Sequence, residues 1–162
     1  MIALALTLIT VRSLDAPLFL YPNSASLPAG LYVRSFEAVR VGSIVAFPAP
    51  AIARRYQERE GTKVPSDYLF IKPLVAGPGD QICNDPVIGL RINGLWTASV
   101  FTADSKRRSL PVWYSCRQLG NEEYFAYSDY APNSFDSRNF GTIFFTRNNW
   151  FISSFFFFRS GS

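Results

Sequence analysis

LYVRSFEAVRVGSIVAF, Leu31–Phe47, decides the fold class. Its Val, Ile, Phe and Tyr residues alternate with polar ones, which predicts two strands with Val41-Gly42-Ser43 as the turn between them. Pro48 and Pro50, which lack the N–H a sheet ladder needs, stop the sheet. Downstream, AIARRYQEREG (51–61) predicts one short exposed helix ended by Gly61. DYLFIKPLVAG (67–77) then reads as a strand, and GPGDQIC (77–83) as a tight turn. LRINGLWTASV (90–100) reads as a hairpin around Asn93-Gly94. VWYSCRQL (112–119) and EEYFAYSDY (122–130) are further strand-like runs. Upstream, NSASLPAGLY (23–32) is a turn that carries two serines one residue apart. The fold class that follows is mostly β with one short helix.

Composition agrees. The 162 residues are 48% hydrophobic and 17% charged, enough apolar side chain for one real core and not the make-up of a disordered chain. The net charge is +4, and its only clusters, Arg54-Arg55 and Lys106-Arg107-Arg108, lie in polar stretches. No basic stripe with a reading motif exists, which argues against a nucleic-acid partner.

The two ends stand apart. Met1–Val11 is an apolar run too short for a membrane-spanning helix. It is either a signal-like segment or the tail of a longer anchor, and both readings give a hydrophobic N-terminal segment (1–20) associated with a membrane. At the other end, TIFFTRNNWFISSFFFFRSGS holds four consecutive Phe at 155–158, which fit neither a period of 2 nor one of 3.6. Residues 146–162 are therefore set apart as an atypical Phe-rich tail, open to reading as a buried strand, a membrane-facing patch or unrelated sequence. The domain proper is expected over 21–145.

The chain contains no histidine, so a serine nucleophile here cannot use the usual imidazole base. A neutral lysine is the remaining base, and it serves only where burial lowers its pKa toward neutrality. Of the three lysines, Lys63 and Lys106 sit in polar stretches, whereas Lys72 interrupts the apolar run LFIKPLVAG. Such an ammonium either snorkels to the surface or sits neutral. The two cysteines, Cys83 and Cys116, lack metal-binding spacing, and without histidine a zinc site is not expected. No cofactor is implied. Buried thiols and a disulfide both remain open from the residues alone.

Three segments in order resemble the boxes of the type I signal peptidase family, and most closely its conjugative-transfer branch, the TraF-type peptidases. They are YPNSASLPAGLY (21–32), FIKPLVAGPGD (70–80) and NSFDSRNFG (133–141). Asn23, Ser24, Ser26, Pro28, Gly30 and Tyr32 fit the serine box. Lys72, Val75, Pro78, Gly79 and Asp80 fit the lysine box, and Asn133, Ser134, Asp136, Ser137, Arg138, Phe140 and Gly141 the last. The resemblance implies a signal-peptidase-like β domain with Ser26 as nucleophile and Lys72 as general base. Ser24 and the Ser26 N–H would form the oxyanion hole, and Ser134 would hold the lysine amine. Asp136 and Arg138, two apart on a strand, would pair beneath the site. It also implies a Cys83–Cys116 disulfide, and work on the periplasmic side of the bacterial cytoplasmic membrane.

The implied substrate is a secreted or membrane-inserted precursor, a pilin-type subunit in the conjugative branch, cut beside small residues and either hydrolysed or cyclised. Three alternatives share part of this pattern. One is general type I signal peptidase. Another is a self-cleaving repressor of the LexA kind, which would need a helix-turn-helix domain before the serine box. The last is a degenerate assembly protein that binds the precursor without cutting it. The chain departs from the family in three places. Pro73 stands where a basic residue is usual, Asn139 where an aromatic is common, and the sequence after Gly141 does not follow the family pattern.

Overall fold

The computed structural model describes residues 18–22, 26–35, 37–61, 63–145 and the backbone of 153–158. The apolar run at Met1–Val11 lies outside the described residues. Among those described, no helix is long and apolar enough to cross a membrane.

The chain is mostly β, as its alternation predicts. One sheet has seven strands: β1 (Phe19–Leu20), β2 (Leu31–Ser35), β3 (Ile44–Pro48), β4 (Leu69–Ala76), β9 (Glu123–Ala126), β10 (Ile143–Phe144) and β11 (Ser153–Phe158). Their spatial order is β1-β2-β11-β3-β4-β9-β10, with every pair antiparallel. A second sheet is built from β5 (Gln81–Asp85), β6 (Gly89–Ile92), β7 (Leu95–Ala98) and β8 (Ser115–Gln118), in the order β7-β6-β5-β8. The helix α1 spans Ala51–Arg59, and a single helical turn, α2, spans Ser137–Phe140.

The hairpin at Asn93-Gly94 forms as expected. Both residues have positive φ (51° and 82°), the pairing that a two-residue turn matched to strand twist requires. Leu31–Phe47 yields two strands, but they are not neighbours, because β11 lies between β2 and β3. The Phe-rich stretch is therefore a strand of the sheet. It pairs Phe155–Phe158 with Leu31–Arg34, contacts too distant in sequence to be visible in either segment alone.

Alternation places side chains on opposite faces of the seven-stranded sheet. Val45, Phe47, Phe70, Leu74 and Ala126 point to one core with Ala53 of α1 and, at its margin, Phe135 and Phe140. Leu27, Tyr32 and Ala46 pack together with Ile71 and Leu69 at their margin. A further cluster, including Ala76, Ile82, Leu90 and Phe125, joins the two sheets.

Pro73 occupies a central strand, where a missing N–H would normally break a ladder. Leu74 N–H donates to Ser43 O on the β3 side (2.9 Å), so Pro73's nitrogen faces the β9 side. There β9 ends at Ala126, and the β4–β9 register shifts between Leu74 and Ala76. The proline falls where the ladder is already interrupted. Cys83 and Cys116 are directly opposite on β5 and β8 and form a disulfide.

Candidate active site

Burial along β4 alternates, and Lys72 falls on the buried side with Phe70 and Leu74, opposite Val45 on β3. Only 6% of Lys72 is exposed, so it does not snorkel. Its Nζ lies 2.7 Å from Ser26 Oγ and 2.8 Å from Ser134 Oγ. Burial pushes the lysine pKa down from 10.5 to about 8; the charge of Asp136 opposes that shift and the charge of Arg138 adds to it. About one lysine in ten is then neutral at pH 7 and half at pH 8.

Ser26 opens the turn that leads into β2 and is 5% exposed. The turn is anchored by Tyr32, whose phenol donates to Pro28 O (2.9 Å) and whose ring is fully buried beside Leu27 and Ala46. Burial raises the Tyr32 pKa, with Tyr130 adding to it, so the phenol keeps its donating proton. Ser24, with Asn23 and Ala25, lies outside the described residues.

Asp136 and Arg138 meet, but not as strand neighbours. Asp136 is the N-cap of α2: its carboxylate accepts from Arg138 N–H (3.1 Å), and Asn139 Oδ1 accepts from Asp136 N–H (3.2 Å). The expected strand gives way to a helical turn because this reciprocal capping satisfies amides that a lone strand there would leave unpaired. The departure at Asn139 has a use: its side chain closes the box and donates to Pro111 O (2.9 Å). Arg138 clasps Asp136 through Nε and Nη2 (2.9 and 2.8 Å) and reaches Ser134 O (3.3 Å). Both side chains of the pair are almost wholly buried. Arg138 thereby offsets a carboxylate that would otherwise hold Lys72 charged.

Beside these groups opens a cleft of about 560 Å3. Ser26, Lys72 and Ser134 line it with Leu69, Phe70 and Ile71 of β4, Tyr68, Phe135, and Gln57 from α1. β9 pairs with β4 only from Leu74 onward, so no described strand pairs with the backbone of Leu69 and Ile71 on that side. The cleft thus has an open strand edge leading to Lys72, a template on which an extended peptide can lie. Among the described residues, no three His, Cys, Asp or Glu side chains gather closely enough to hold a metal ion.

Of the residues named from the sequence, Ser26, Lys72, Ser134, Asp136 and Arg138 gather here, Cys83 and Cys116 lie apart in the second sheet, and several contributors carried no sequence signal. Gln57 sits on a polar helix that reads as wholly solvated. Ser128 and Tyr127 lie in a strand-like run with nothing to single them out. Asn84 is buried and donates to Trp113 O (2.6 Å) and Arg138 O (3.0 Å), which bonds the second sheet to α2. For α2 itself the signal was legible: Asp136 and Asn139 stand at capping-box spacing.

Comparison with known proteins places the chain in a family. The family model described as signal peptidase, peptidase S26, matches residues 4–152. The chain is also similar to a plasmid transfer protein, TraF, of Escherichia coli, with 33% identity over 130 residues covering 75% of this chain and 73% of that protein.

Proposed function

The chain belongs to the signal peptidase family, peptidase S26, and from that premise we propose that it is a serine endopeptidase working through a Ser26–Lys72 dyad. The observation that carries the reading is the buried Lys72 amine, 2.7 Å from Ser26 Oγ, in a chain without histidine. Neutral Lys72 accepts the Ser26 proton as Oγ attacks the scissile carbonyl carbon, and Ser134 steadies the amine. Ser24 and the Ser26 N–H are the proposed donors to the oxyanion. The lysine then gives its proton to the leaving amine, and an acyl group remains on Ser26. Water, activated by the same lysine, releases it by hydrolysis; attack by an amine at the substrate's other end would close a ring instead.

The open edge at Leu69 and Ile71 suits a precursor that binds in extended form, with its scissile bond led to Ser26. Small side chains flanking that bond fit beside the rings of Phe70 and Phe135. A conjugative, pilin-type precursor is the proposed substrate, supported by the similarity to a plasmid transfer protein. The proposed place of action is the periplasmic face of the cytoplasmic membrane. The well-formed Asp136–Arg138 pair favours an active enzyme over a degenerate binding protein.

The test is co-expression with a candidate pilin precursor followed by mass spectrometry. Wild type is expected to trim it, while Ser26→Ala and Lys72→Ala leave it full length. A product lighter by one water than the linear form identifies cyclisation. Trimming by both variants would overturn the dyad.

A further inference from the structure

Three consecutive residues at the end of β9 hold together parts of the site that come from three distant segments. Ala126 N–H donates to Ser137 Oγ (2.9 Å) in α2, and Tyr127 N–H donates to Pro73 O (3.2 Å), next to Lys72. The Tyr127 ring lies under the Arg138 guanidinium, 4.6 Å away. Ser128 Oγ–H donates to the backbone carbonyl of Ser26 itself, 102 positions earlier in the chain. Ser128 is fully buried, so water cannot readily take over that bond.

We propose that Ser128 is a positioning residue for Ser26. Its hydroxyl fixes the Ser26 carbonyl, and with it the backbone from which Cβ projects the serine Oγ toward Lys72 Nζ and an incoming carbonyl carbon. Ser134 holds the lysine half of the pair; Ser128 holds the serine half. A reacting oxygen that drifts by a fraction of an ångström loses much of the advantage of being held in place. Backbone anchoring is the suitable means, since the serine Oγ is itself the bond-forming atom and already meets Lys72 Nζ. The inference rests on the serine-peptidase reading above.

The test uses the whole chain and a small acylating probe, acetyl-Ala-Ala-Ala p-nitrophenyl ester, with Ser26→Ala subtracted as background. A quenched peptide with alanines flanking one bond is followed in parallel. Ser128→Ala is expected to acylate about tenfold more slowly, the effect of one buried hydrogen bond lost at the reacting centre, with KM unchanged. The pH of half-maximal rate should stay at the wild-type value, because Ser128 does not touch Lys72, whereas Ser134→Ala should move it. Ser128→Thr, which keeps the hydroxyl, should recover most of the rate.

Acylation of Ser128→Ala at the wild-type rate would overturn the proposal. So would a slow variant whose pH midpoint has moved, or whose melting temperature has dropped to the assay temperature. Wild type that acylates at Ser26 but cuts no peptide would count against the peptidase reading, while the Ser128 comparison would still be read from the ester. No Ser26-dependent acylation in wild type would overturn both.

Discussion

Replacing Lys72 with methionine should remove a rise of stability with pH between about 8 and 10 along with the proposed base. Lys72 gives up its proton near pH 8 in the folded chain against 10.5 when exposed. Between those values the unfolded state binds more protons than the folded one, so stability rises with pH there. Below pH 8 the folded chain carries the full cost of a buried ammonium, about 3 kcal/mol at roughly 1.4 kcal/mol for each tenfold change in proton affinity. The cost falls to about 2 kcal/mol at pH 9 and to about 1 kcal/mol at pH 10. Methionine is of similar length and has no charge, so Lys72→Met lacks this pH-dependent term. Loss of the contacts to Ser26 and Ser134 shifts its curve by a constant and does not change its slope. Urea unfolding of both proteins at pH 7, 8, 9 and 10 measures the difference. Wild type should gain about 2 kcal/mol on the variant between pH 7 and pH 10. Parallel curves would refute the burial argument and, with it, the supply of neutral lysine at physiological pH. The same titration should set the alkaline rise of any Ser26-dependent activity, with half-maximum near pH 8.

Three further outcomes follow from contacts away from Lys72. Glu123 is clasped by Arg117 (2.6 and 2.7 Å) and bonded by Gly120 N–H and Thr142, and the Arg117 hydrogen bonds foremost bring its pKa down from 4.5 to about 2. Its contribution is complete above pH 4.5 and lost as pH falls toward 2, so Glu123→Gln should flatten the acid limb of a melting-temperature profile. Gly141 has φ +89°, and a Cβ there would lie 2.9 Å from Trp113 Cδ1, so Gly141→Ala should cost about 1–3 kcal/mol by chemical denaturation. The Cys83–Cys116 bond spans 33 positions, and replacing both cysteines with serine should lower stability by about 3–4 kcal/mol, read as a lower urea midpoint.

What could be read from the residues was what local chemistry dictates. Alternation in Leu31–Phe47 and around Lys72 specified strands, Asn93-Gly94 specified a turn, and a lysine alone in an apolar run was either a snorkelling side chain or, with histidine absent, a base. The serine, the lysine and Ser134 came from ordered segments whose spacing is far too wide to argue contact, so their meeting was implied by resemblance. Long-range pairing was hidden. The place of Ser153–Phe158 between β2 and β3 depends on partners more than a hundred positions earlier, and a run of identical Phe has no period to assign a face. Asp136–Arg138 was read with the right partners on the wrong element, because the period-2 rule was applied where a capping residue had already set the backbone. Ser128 had no signal, since a serine in a half-buried run looks the same whether it braces a nucleophile or fills space.

The place of β11 has a consequence for the order in which the molecule can be assembled. Among the described residues, β2, which follows the Ser26 turn, connects to β3 and β4 in the sheet through Ser153–Phe158. During synthesis, Lys72, Ser134 and their supports emerge while that bridging strand is still unmade. The arm bearing Ser26 then has its hydrogen bonds to Ser128 and Lys72, its packing on Ala46 and its ladder to β1, but no described ladder to the rest of the sheet. The ladder that joins the Ser26 arm to the strands beside Lys72 is therefore completed late, after nearly the whole described chain exists. A nascent chain stalled before Ser153 should carry Ser26, Lys72, Ser128 and Ser134 with the Ser26 arm held to them by side-chain bonds and packing alone, an order of assembly written into strand position.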